Sequence, residues 1–131
     1  MVRIAVIDDD RATLDILTEL LQSSGFEVLP FATGEGALEG LRWSPVDLMV
    51  IDLLLPRMSG IDLTRSLRAL PWAEAAPVLA ITALRWNSEQ VRAIEDAMAP
   101  AKLLRKPVAP SDLLSTVRAM LARAALDAAV A

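Results

Sequence analysis

The chain has 131 residues, 54% hydrophobic and 23% charged, a balance that fits one folded domain with one core rather than a disordered segment. A formal net charge of −4 argues against direct binding to nucleic acid, and the lack of cysteine excludes a disulfide framework and thiolate metal sites. Histidine is also absent, which removes imidazole acid–base chemistry and imidazole metal sites, so any chemistry must use carboxylates, lysine or hydroxyls.

The opening "MVRIAVIDDD" has an apolar run too short for a signal peptide, and "RIAVI" within it reads as a strand with an abrupt acidic stop. Arg11 to Ser23 carry Leu14, Leu17, Leu20 and Leu21 at helical spacing, and Gly25 ends that helix. "EVLPF" is a second strand, placed at a sheet edge because Pro30 has no N–H for a ladder. Thr33 reads as the N-cap of a short helix to about Arg42, with Pro45 beyond it. "DLMVID" is the third strand, followed by a helix over Ile61 to Leu70 closed by Pro71. "PVLAIT" is the fourth strand, and Ser88 caps a helix to Met98. "KLLRK" is the fifth strand. Pro110 opens a last helix whose apolar face is Leu113, Leu114, Val117, Met120 and Leu121. Residues 1–124 form the expected domain, and 125–131 are an alanine-rich tail or the frayed end of that helix. Trp43 and Trp72 read as packing residues. Asp52 and Pro56 interrupt the longest apolar run, so no membrane span is expected and a cytoplasmic location is.

Strands alternating with helices imply an α/β fold, a parallel sheet covered on both faces. The first strand then stops at Asp8, Asp9 and Asp10, the third at Asp52, the fourth at Thr82 and the fifth at Lys106. In an open parallel sheet all of these lie on the carboxyl edge, where ligand sites form. Two carboxylates roughly 5 Å apart repel by about 3 kcal/mol at an effective dielectric of about 20. A hard divalent cation relieves this, and an oxygen-only donor set points to Mg²⁺, with Mn²⁺ as the alternative. Lys106 adds a compact positive charge and Thr82 a hydroxyl donor, which together make a receptacle for a phosphoryl group on a carboxylate. Asp10 is explained as an acid at a helix N-terminus.

With "VIDDD", "VDLMVIDLLLPRMSG", "PVLAITA" and "RKP" in order at the ends of successive strands, the sequence resembles the receiver domain of two-component response regulators over nearly its whole length. The resemblance implies a doubly wound, flavodoxin/CheY-like five-stranded sheet of order 2-1-3-4-5 with five helices. It implies that Asp52 accepts a phosphoryl group from a phosphohistidine on a histidine kinase or histidine phosphotransfer protein, since the chain has no histidine of its own. Asp9, Asp52 and the backbone carbonyl of Leu54 would ligate Mg²⁺, with Asp8 acting through water. Thr82 and Lys106 would bind the phosphoryl oxygens, and the Lys106–Pro107 bond would be cis. Such a domain is a phosphoacceptor that signals by binding a downstream protein, not an enzyme acting on other substrates.

Departures from the family pattern bear on mechanism. Leu103 stands where relatives carry an aromatic ring that swings with the threonine, and Ala99-Pro100 replaces a Gly-Ala pair. Leu54 and Leu84, two residues after Asp52 and Thr82, flank the route of attacking water and cannot orient it, so slow self-dephosphorylation is expected. Trp86 lies near the same pocket. Besides a stand-alone receiver, the sequence fits the receiver module of a larger regulator or hybrid kinase. A Mg²⁺-dependent phosphohydrolase is weaker, since its usual second aspartate would fall at Leu54. A flavin binder is weaker still, because the first turn is acidic where phosphate must sit.

Overall fold

The computed structural model describes residues 1–130. In chain order the elements are β1 (Arg3–Ile7), α1 (Arg11–Ser23), β2 (Glu27–Phe31), α2 (Gly34–Leu41), β3 (Leu48–Asp52), α3 (Gly60–Arg68), β4 (Val78–Thr82), α4 (Ser88–Met98), β5 (Ala101–Arg105) and α5 (Pro110–Val130). All five strands are parallel in the order β2-β1-β3-β4-β5, as expected, and Pro30 lies on the edge strand opposite Val6. α5 continues as helix through most of the alanine-rich tail.

The near-continuous apolar strands serve two cores, because successive strand residues point to opposite faces. Ile4, Val6, Val50, Leu79 and Ile81 pack against α1 and α5 through Leu14, Leu17, Leu113 and Val117. Ala5, Ile7, Met49, Ile51 and Ala80 pack against α2, α3 and α4 through Leu41, Leu63, Leu67 and Met98. Among residues 1–130 no helix is long and apolar enough to cross a membrane.

Local chemistry sets the helix ends. Asp10 caps α1 by accepting from Thr13 N–H, and α1 closes with Phe26 N–H on Leu21 O and Gly25 N–H on Gln22 O, a Schellman turn with Gly25 at φ +94°. Thr33 caps α2 as expected. At α4 the cap is Asn87 rather than Ser88: the Asn87 side chain accepts from Gln90 N–H while Gln90 Oε1 accepts from Asn87 N–H. This reciprocal box satisfies two terminal groups at once, which a serine one residue later cannot do. α3 starts at Gly60 behind a Ser59 cap and ends at Arg68, short of Leu70, where the helical ladder gives way to turns with Ala69 N–H on Ser66 O and Leu70 N–H on Leu67 O.

Two side chains tie the lower end together. The Arg68 guanidinium donates to the carbonyls of Ala73, Ala76, Met98 and Pro100, joining the ends of α3 and α4 to the loops before β4 and β5. Its burial lowers the guanidinium pKa without discharging it. On the outer edge of the sheet, Glu95 of α4 accepts from the Leu103 N–H of β5 at 2.8 Å. Trp72 packs as expected, its Nε1–H donating to Leu41 O, but Trp43 is 84% exposed. It follows the last turn of α2 in a surface connection, where no apolar layer faces it.

Candidate functional site

The strand ends bring Asp8, Asp52, Thr82 and Lys106 to the carboxyl edge, as the spacing predicts. β1 and β5 extend their ladders one residue past their ends, with Asp8 N–H on Phe31 O and Lys106 N–H on Thr82 O. Carried on, the two-residue alternation sends Asp8, Asp52 and Lys106 toward the α1/α5 side and Thr82 toward the other. The contacts agree. Lys106 Nζ lies 2.8 Å from Asp8 Oδ2 and 2.9 Å from Asp52 Oδ2. The second oxygens are held by main chain: Asp8 Oδ1 accepts from Asp10 N–H and Asp52 Oδ1 from Leu54 N–H. Thr82 Oγ1 accepts from Leu84 N–H at 3.1 Å, which leaves the hydroxyl proton to be donated.

Burial differs within the acid cluster. Asp8 and Asp52 are buried while Asp9 is exposed, yet each of the three offers a carboxylate oxygen within 4.8 Å of the others. Burial pushes the Asp8 carboxyl above its usual range, and the neighbouring Asp52 charge adds to this; Lys106 and Asp10 N–H offset only part of it. For Lys106 burial is the largest single influence and acts downward, but hydrogen bonds and charge attraction from Asp8 and Asp52 together raise it. One ammonium thus faces two buried carboxylates, with a third acid at the rim. An oxygen-only cluster carrying more negative charge than its one cation balances has the chemistry of a Mg²⁺ site.

Gly60 shapes the rim, and neither composition nor periodicity singles it out. A Cβ there would stand 2.5 Å from the Asp52 carbonyl oxygen and 2.8 Å from Leu53 Cα. The absent side chain lets the start of α3 lie directly on the Asp52 peptide, held by Gly60 N–H on Leu53 O. Upstream, Met58 N–H returns to Pro56 O around Arg57 at φ +69°, a tight three-residue turn in a conformation uncommon for non-glycine residues. Leu54 and Leu84 flank the mouth, 49% and 43% exposed. Trp86 lies with both leucines in an apolar notch, its Nε1 buried without a partner.

A family model described as "Response regulator receiver domain" matches residues 4–118. The chain belongs to the response regulator receiver family. It is 37% identical over 122 residues to the phosphate regulon transcriptional regulatory protein PhoB of Rhizobium meliloti, covering 93% of this chain and 53% of that protein. It is 36% identical over 121 residues to the DNA-binding response regulator MtrA of Mycobacterium tuberculosis, covering 92% and 51%. The receiver therefore spans about half the length of these curated relatives. Among solved structures, a CheY-like receiver domain protein from Methanospirillum hungatei superposes with a TM-score of 0.85 at 27% identity, covering 97% of this chain and 98% of that one. The cis Lys106–Pro107 bond agrees with the expectation drawn from the family, and Ala99–Pro100 is cis as well.

Proposed function

We propose that this receiver takes a phosphoryl group onto Asp52 from a phosphohistidine of a separate histidine kinase or phosphotransfer protein. The observation that carries the reading is the shared contact of Lys106 Nζ with Asp8 and Asp52, at the bottom of an acid cluster that still has an exposed member, Asp9. In the transfer an Asp52 oxygen attacks phosphorus, the phosphorus–nitrogen bond to the donor breaks, and the imidazole leaves carrying the electron pair. Mg²⁺, when bound, supplies the positive charge that lets an anionic carboxylate meet an anionic phosphoryl group. Asp9, Asp52 and the Leu54 carbonyl are its proposed ligands, with Asp8 acting through water. Lys106 holds charge against a phosphoryl oxygen, and the free Thr82 hydroxyl proton serves another. The domain proper ends near residue 124, and the role is cytoplasmic signalling through protein contacts rather than turnover of a substrate.

The test is incubation with phosphoramidate and Mg²⁺ followed by intact-mass measurement. Wild type is expected to gain one phosphoryl group and Asp52→Asn none. Equal labelling of the two proteins, or no labelling of either, would overturn the assignment. Because the curated relatives are about twice as long, a second reading is that this receiver works as one module of a larger regulator, and the same acceptor chemistry serves both.

A further inference from the structure

The apolar notch beside the acid cluster has a volume of about 360 Å³ and lies between the start of α3 and the first turns of α4. Its walls are Leu53 and Leu54 after β3, Ile61 of α3, Leu84 after β4, and Ala93 and Ile94 of α4. No charged side chain lines it. The polar ones serve helix ends: Ser59 Oγ accepts from Asp62 N–H and Gln90 Oε1 from Asn87 N–H. Trp86 contributes its ring, since its Nε1 is itself buried. Leu54 and Leu84 belong to both places. Their N–H groups hold Asp52 Oδ1 and Thr82 Oγ1, at 3.0 and 3.1 Å, while their side chains line the notch. A donor that reaches Asp52 through this mouth therefore lies against the notch.

We propose that the notch is the second half of the donor site, taking one aromatic or branched aliphatic side chain that the phosphohistidine protein carries beside its histidine. The proposal rests on the phosphoacceptor reading above and adds a requirement on the donor. The lining selects the occupant. With no charge to pair and its polar side chains bonded into helix caps, the notch would strip a charged or amide group of water without compensation. An apolar group gains by covering two half-exposed leucines. The volume is at the small end of ligand sites, so one side chain fills it rather than a helix face. That contact is the same before and during transfer, so it raises the second-order rate of labelling through binding.

N-benzylphosphoramidate tests this against phosphoramidate, with Mg²⁺ present and labelling followed by intact mass. In both donors the nitrogen leaves with the electron pair of the phosphorus–nitrogen bond, as amines of similar basicity, and only the benzyl group can enter the notch. The second-order rate constant is expected to be about tenfold higher for the benzyl donor, the lower bound for burying a side chain of that size. Ala93→Glu, which puts a charge in the notch, should abolish that advantage. Ala97→Glu, one turn further along α4 and outside the notch, should keep it. Both alanines are exposed, so neither change disturbs the core. The two donors are compared within each protein, so a general change in labelling cancels. Equal rates for both donors in wild type, an advantage that survives Ala93→Glu, or one lost equally in Ala97→Glu would overturn the notch as a donor site. Failure of either donor to label wild type would instead remove the phosphoacceptor reading, and this proposal with it.

Discussion

Lys106 is the one cation shared by two buried acids, and its protonation links the site to stability. The folded protein holds its proton above the ordinary lysine value, so the contribution is fully present below that value. It is lost as pH rises through the higher folded one. The sequence makes this visible, because it has no tyrosine or cysteine and its only lysines are Lys102 and Lys106. Melting temperature is expected to fall as pH rises above about 10.4, and Lys106→Met should flatten that limb; equal slopes in both proteins would contradict the linkage. Gly60 gives a second residue-scale expectation. Placing a methyl 2.5 Å from the Asp52 carbonyl forces main chain apart, so Gly60→Ala should cost about 1–3 kcal/mol in denaturant unfolding, the usual range for overpacking.

Elements explain what single residues do not. The connections after β3 and β4 each present an exposed leucine at the mouth of the site, and neither can hold a water by hydrogen bonding. The double substitution Leu54→Asn and Leu84→Glu is expected to shorten the phosphoryl half-life about fivefold, the factor supplied by one oriented hydrogen bond of about 1 kcal/mol. Loss of label followed by mass measurement checks it, and an unchanged or longer half-life would count against water access as the limiting feature. The capping box at α4 predicts that Asn87→Ala costs about 1 kcal/mol, a typical value for losing an N-cap, with amide exchange rising in the first turn of α4 and not in α1.

Across the whole molecule, acids gathered at one edge should couple folding to cation binding. About 10 mM Mg²⁺ is expected to raise the melting temperature through preferential binding to the folded state, with a chelator reversing the rise and Asp9→Asn reducing it. An equal rise in Asp9→Asn would remove Asp9 from the proposed ligand set. Much of this architecture was legible beforehand because strands buried on both faces leave unbroken apolar runs, and their acidic or hydroxyl ends stand out against them. Pro30 placed the edge strand for the same kind of reason, a missing donor. Gly60, Arg68 and Glu95 were not legible, since each acts on main-chain groups brought near only by folding, and no spacing in sequence encodes those meetings. Asn87 was within reach: its Gln three residues on is a capping signature, obscured by the neighbouring serine.

The carbonyls gathered by Arg68 give the molecule a fulcrum. α4 has its last turn pinned there through the Met98 carbonyl, while its first residue, Ser88, lies ten residues away. At 1.5 Å per residue that lever is about 15 Å long, so a tilt of about 10° at the pinned end would carry the free end roughly 3 Å. A tilt about that point would move main chain most beside Leu84 and Trp86 and least at the foot of the sheet, and the Glu95 bond to Leu103 N–H would have to yield with it.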